Sequence, residues 1–189
     1  MTDQGSWILE VRRRLESPAP VRLAPGEGRP AAVLVPLFVD AGELWTLLTR
    51  RSDELPTHKS QIAFPGGGAA QGEDAWKTAL RETQEEVGLD PSAILPLGQL
   101  DEARTPSGFR IVPCVGAVPT RFETRIDPGE IAEAFRVPLT AFANPRMVED
   151  RTIRIDGQER EIRVYHVGSR QIWGLTARIL QNLLERLGM

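Results

Sequence analysis

Glu82, Glu85 and Glu86 stand at i, i+3 and i+4, the spacing of one helix face. Such an arrangement has an electrostatic cost. Like charges at i, i+4 destabilise a helix by a few tenths of a kcal/mol per pair. Glu85 and Glu86 also fall near the helix C-terminus, where the macrodipole disfavours negative charge. Only Arg81, four residues before Glu85, offers local relief. Clustered carboxylates are natural ligands of hard divalent cations such as Mg²⁺, which keep substrate phosphates and water in their remaining positions. An isolated E-x-x-E-E is more often a solvated acidic face. Its neighbours change that balance. Pro65-Gly66-Gly67-Gly68 lies just upstream, and glycines let a backbone approach a ligand closely. Gly67, Glu73, Arg81, Glu82, Glu85, Glu86 and Gly88 form a fixed pattern whose chance occurrence at a given start is on the order of one in 10⁸.

These residues need a loop and a helix to position them. Four consecutive breakers at 65–68 predict the loop. The helix is expected over 74–87, with Asp74 as N-cap and Gly88 just past its end. At about 100° per residue, Trp76, Ala79, Leu80, Thr83 and Val87 form its core face, and the three glutamates are placed roughly opposite. Residues 6–16 read as a short amphipathic helix, and 17–30, with four Pro and two Gly, as an extended linker. Strands are expected at 31–39 and 44–50 around the turn 40–43, then at 94–103, 110–118 and 130–137. A short helix should follow Pro138. A second hairpin, 147–156 with 159–167, turns at Asp156-Gly157, and a helix over 175–187 closes the chain. This order indicates an α+β or mixed α/β sandwich.

Gly67-x5-Glu73-x7-Arg81-Glu82-x2-Glu85-Glu86-x-Gly88-Leu89 resembles the box of the Nudix hydrolases. Thr83 departs from that pattern, where an aliphatic residue is usual. The resemblance implies an α/β Nudix fold, a mixed β-sheet between helices, over residues 31–189, with 1–30 as an N-terminal helix and linker. It implies cleavage of a diphosphate linked to another moiety, with Mg²⁺ or Mn²⁺ as cofactor. It makes Glu82, Glu85 and Glu86 metal ligands, joined by the Gly67 carbonyl, and it gives Arg81 the task of orienting the glutamates. A carboxylate of the cluster, Glu86 or Glu85, would take a proton from the attacking water.

The segment before the box narrows the substrate. Leu47-Leu48-Thr49-Arg50-Arg51-Ser52, followed at fixed spacing by Phe64-Pro65-Gly66-Gly67, is similar to the motif of the coenzyme A pyrophosphatase branch. Pro56 replaces an Arg of that motif and Ser60 a Gly. Thr105-Pro106-Ser107-Gly108-Phe109 and Ile172-Trp173-Gly174-Leu175-Thr176-Ala177 resemble further segments of the branch. Substrate contacts are therefore expected from Arg51, Ser52, Lys59, Phe64 and Gly66. Arg is the preferred bidentate partner of phosphate. Arg50 and Arg51 alternate on a strand, so one faces the site, and the pattern selects Arg51. Arg50 and His58 are read as surface residues, His166 as structural and Trp173 as core. Glu130 is read as a loop acid in preference to a further site carboxylate. Glu73 is either a ligand or a helix-entry residue.

The expected reaction is hydrolysis of coenzyme A or a derivative to 3′,5′-ADP and 4′-phosphopantetheine or its acyl form. The alternatives are a pyrophosphatase of ADP-ribose, NADH or dinucleoside polyphosphates, and an inactive nucleotide-sensing domain. Composition agrees with a small-molecule partner. The 189 residues suit one domain, and a net charge of −3 supplies no positive field for nucleic acid. The longest apolar run, 31–39, is too short to span a bilayer. The opening MTDQGSW lacks the pattern of a secretory signal, and the single Cys114 suits a reducing, cytoplasmic setting. The reading leaves room for a homodimer.

Overall fold

The structure is a computed structural model that describes residues 4–24, 26, 28–53, 60–155 and 157–189. Its central element is β1 (Arg29–Asp40), an apolar strand buried on both faces. Alternation explains this. Ala32, Leu34 and Phe38 point to one side of the sheet, whereas Val35 and Leu37 point to the other.

Around β1 the mixed sheet assembles. It contains β2 (Glu43–Arg51), β3 (Ile62–Ala63), β4 (Gly66–Gly68), β5 (Leu95–Gln99), β6 (Ala103–Arg104), β7 (Phe109–Ala117) and β8 (Ile131–Pro138). Its main path is β3-β2-β1-β7-β5, with β4 beside β1, β6 beside β7 and β8 beside β2. β1 runs parallel to β7 and antiparallel to β2 and β4. The expected strand at 94–103 is two strands, because the chain breaks between Gln99 and Ala103.

One face of the sheet receives α2 (Ala75–Val87) through Ala79, Val87 and the partly buried Trp76 and Leu80. The other receives α1 (Gln4–Glu16) and α4 (Gly174–Leu187). Val11 and Leu15 of α1 are 2% and 1% exposed and share a cluster with Leu180 and Leu183 of α4. α3 (Leu139–Ala143) follows Pro138 as expected, and a 3₁₀ turn leads into the second sheet. That sheet has the order β11-β10-β9, from β9 (Val148–Ile155), β10 (Gln158–Val167) and β11 (Arg170–Ile172). It docks through Tyr165 and Ile172, with Tyr165 edge-on to Phe142 at 5.4 Å.

The 17–24 segment is tied to the turn after β5. The Val21 and Leu23 amides donate to the Asp101 and Glu102 carboxylates, both at 2.9 Å. Arg186 of α4 donates to the Leu15 and Pro18 carbonyls and to Asp101. Thus the helix and linker before β1 pack against the same chain. No helix among the described residues is long and apolar enough to cross a membrane.

Candidate active site

The site forms where α2 meets β4. Asp74 caps α2 as expected, its carboxylate accepting from the Lys77 amide at 2.8 Å. Gly88 ends the helix with φ 72°, and its amide donates to Gln84 O. Two further carbonyls of the last turn accept from a neighbouring loop. Arg125 N–H donates to Val87 O at 2.9 Å and Asp127 N–H to Glu86 O at 3.0 Å. These bonds satisfy carbonyls that a helix end leaves open and fix the segment carrying Glu86. The sequence offered no local signal for this clamp, which joins segments about forty residues apart.

The three glutamates lie in different environments. Glu85 is exposed and Glu82 partly buried, but the Glu86 side chain is only 4% exposed. The expectation that all three oppose the core is therefore corrected. Glu86 sits on the helix flank, about 75° from the centre of the apolar face and not opposite it. β4 covers that flank, and Gly66 N–H donates to Glu86 Oε2 at 3.0 Å. Burial pushes the Glu86 carboxyl up to about 7, against the lowering effects of the Gly66 bond and of Arg51. The charges of Glu82 and Glu130 add to the rise.

Arg81 organises the other acids. Its Nε and Nη2 donate to the two Glu73 oxygens at 2.8 and 3.0 Å. Nη1 donates to Glu82 Oε1 at 2.8 Å and to Glu85 Oε2 at 3.0 Å, and Nη2 also reaches Gly68 O at 3.1 Å. Glu73 further accepts from Ala70 N–H and the Thr78 hydroxyl. Its carboxyl is held down at about 2, first by Arg81 and then by the Ala70 amide. Glu73 thus acts at the helix entry and as the anchor of Arg81. Thr83, the departure from the box, is buried, and its hydroxyl is satisfied by Ala79 O at 2.6 Å.

Gly66 and Gly67 of β4 fit their surroundings only as glycine. A Cβ on Gly66 would lie 2.5 Å from Val33 Cα. One on Gly67 would lie 2.5 Å from Glu82 Cδ, inside its carboxylate. The Gly67 backbone and the Glu82 carboxylate therefore sit side by side. Among the described residues no three acidic, His or Cys side chains converge into a ready metal cage, because Arg81 spans Glu82 and Glu85. One oxygen of each remains outside that fork. With the buried Glu86 carboxylate and the Gly67 carbonyl, these form an all-oxygen set whose chemistry fits a hard divalent cation.

The upstream segment reaches the same place. Arg51 ends β2, and its Nη1 lies 3.8 Å from Glu86 Oε1. The register against β8 shifts between Arg50 and Arg51, a bulge at the strand end. Arg51 Nε is buried without a hydrogen-bond partner among the described residues. Ser52 is buried, its amide donating to Glu130 O at 2.8 Å. This bond brings Glu130, an exposed loop acid, alongside the site. Phe64, expected at the substrate, is instead 3% exposed and packed in the cluster beneath α4. It holds β3 and β4 in place and presents no face to a ligand. Ser60 has φ 56°, the left-handed conformation natural to Gly, and its hydroxyl bonds Asp53. Lys59, His58 and Pro56 lie outside the described residues.

Two other expectations resolve away from the glutamates. His166 Nε2 bonds Glu149 Oε2 at 2.9 Å, a structural contact in the second sheet. Trp173, read as core, is 47% exposed.

Comparisons with known proteins bear on the family and the fold. A model of the Nudix domain matches residues 28–155. The uncharacterized Nudix hydrolase NudL of Yersinia enterocolitica is 37% identical over 192 residues, spanning 100% of this chain and 97% of that protein. NudL of Pectobacterium atrosepticum is 41% identical over 177 residues, 90% of this chain and 89% of that one. Among solved structures, a MutT/nudix family protein from Enterococcus faecalis superposes with a TM-score of 0.56. It is 16% identical and covers 100% of this chain and 75% of its own. The M. smegmatis Nudix hydrolase RenU gives 0.53 at 20% identity, over 61% and 73% of the two chains. Likeness at such identity speaks for the fold alone, whereas the domain match and the NudL relatives speak for the family. The chain belongs to the Nudix family and is a pyrophosphohydrolase of it.

Proposed function

We propose that the protein hydrolyses the diphosphate of coenzyme A or a derivative, giving 3′,5′-ADP and 4′-phosphopantetheine or its acyl form. The observation that carries this reading is the meeting of two motifs. Arg51, from the segment that resembles the coenzyme A branch, lies 3.8 Å from Glu86 of the Nudix box. A diphosphate beside Glu86 would have that guanidinium as its partner, with Nε and Nη as donors. Ser60, which stands in place of a Gly of that motif, itself adopts the left-handed φ that Gly favours.

Mg²⁺ or Mn²⁺ would be held by Glu82, Glu85, Glu86 and the Gly67 carbonyl, and when bound would neutralise phosphate charge and acidify a water. The remaining work falls to side chains. Arg81 keeps Glu82 and Glu85 on one side of β4. The buried Glu86, titrating near neutrality, is the better placed of the two candidate bases. Glu85 is 60% exposed and paired with Arg81 at 3.0 Å. The single buried thiol, Cys114, supports a cytoplasmic setting.

The test is a substrate panel of coenzyme A, ADP-ribose, NADH and diadenosine polyphosphates with either metal. Faster turnover of any of the others overturns the substrate reading. A Glu85→Gln or Glu86→Gln variant that kept the full rate would overturn the roles of these acids.

A further inference from the structure

Beside the end of β2, on the face of the sheet away from Glu86, lies a hollow of about 440 Å³. Arg50, Ser60, Ile62, Glu133, Arg170 and Trp173 line it. Its volume falls within the range of small-molecule sites. Its charge is organised. Arg170 forms a two-point ion pair with Glu133, and Arg50 Nε approaches the same carboxylate at 3.8 Å. Arg50 also lies 3.5 Å from Asp53, whose side chain is 67% exposed and screened by water. Two guanidinium groups are thus held together around one partly buried carboxylate. Arg170 is braced from below by the Phe135 ring at 4.4 Å. Trp173 stands at the rim, 47% exposed, on the residue just before α4.

Such a lining recognises a definite chemistry. Two clustered guanidinium groups favour a phosphate monoester, and a half-exposed indole offers a stacking face to a planar base. We propose that this hollow is a subsite for a phosphorylated adenosine, with the 3′-phosphate on Arg50 and Arg170 and the base against Trp173. The inference rests on the coenzyme A reading, since that substrate carries both groups. Connectivity supports it. Arg50 and Arg51 are successive residues at a strand end, one turned to the hollow and the other to Glu86. A substrate crossing that end would leave its diphosphate at Arg51 and its nucleoside at Arg50.

The experiment compares coenzyme A with 3′-dephospho-coenzyme A, together with calorimetric binding of 3′,5′-ADP and 5′-AMP to the intact protein. The wild type is expected to favour coenzyme A by about tenfold in kcat/KM, and to bind 3′,5′-ADP more tightly than 5′-AMP. Arg170→Gln and Arg50→Gln should bring both ratios toward one. Trp173→Ala should weaken both substrates and both nucleotides together, leaving the ratios in place. A merely structural loss at Arg170 would depress all four measurements equally and overturn the subsite. Equal affinity of the wild type for the two nucleotides would also overturn it. If the wild type hydrolysed neither coenzyme A form yet bound 3′,5′-ADP selectively through Arg50 and Arg170, the substrate reading alone would fall.

Discussion

Replacing Glu86 by Gln should stabilise the metal-free protein above neutral pH while abolishing most of its activity. The carboxyl is buried, and its titration rises from 4.5 to about 7 chiefly by desolvation. A raised carboxyl favours its neutral form in the folded state. Its contribution to stability is therefore complete below 4.5 and is lost as pH rises through 7. Integrated between pH 5 and 8, that loss is about 2 to 3 kcal/mol. Gln does not titrate, and its carbonyl can still accept from Gly66 N–H. The attraction between Arg51 and Glu86 exists only when Glu86 is ionised, and its lowering effect is already contained in the folded value of about 7. Urea melts of both proteins in EDTA at pH 5 and pH 8 measure the difference directly. The wild type should lose about 2 to 3 kcal/mol more than Glu86→Gln, or roughly 5 to 10 °C in Tm for a chain of this size. Parallel stability curves for the two proteins would refute the burial-driven titration and, with it, the case for Glu86 as base. Saturating Mg²⁺ should diminish the wild-type loss by favouring the ionised form.

Other changes test separate parts of the molecule. Arg81→Lys keeps the charge but not the fork that spans Glu73, Glu82 and Glu85, so activity or metal affinity should fall about 10- to 100-fold in kinetic and Mn²⁺ titrations. Gly67→Ala places a methyl in the Glu82 carboxylate and should weaken Mn²⁺ binding by at least as much, with calorimetry as the check. Asp74→Ala removes the α2 cap and should cost about 1 kcal/mol in a urea melt. Leu15→Ala leaves a void between α1 and α4 and should cost about 2 to 5 kcal/mol. A neutral result there would show that the N-terminal helix does not contribute to folding stability.

Much of the site was legible before the fold. Box residues lie close together in the chain, so a helix and a turn suffice to juxtapose Arg81 with Glu82 and Glu85, and Gly67 with the helix. The caps at Asp74 and Gly88 are local chemistry and fell where the sequence put them. The strand at 94–103 failed as one element because its break depends on pairing with β7, which a linear pattern does not express. Phe64 was misjudged for a related reason. A motif marks a residue as needed without saying whether it touches a ligand or packs beneath it.

By itself the sequence carried the acidic cluster in the spacing along one helix and one glycine loop, and the reaction class through the resemblance of that spacing to the Nudix box. Strand alternation turned only one of Arg50 and Arg51 toward the site, and the resemblance to the coenzyme A motif pointed to Arg51. Only the tertiary structure decided that Glu86 is buried, because the covering strand β4 comes from twenty residues upstream. Only packing raised its titration toward neutrality, and only packing joined Arg50, Arg170 and Trp173 around one hollow. Desolvation and long-range convergence depend on where the chain returns to itself, and periodicity along the chain carries no record of that.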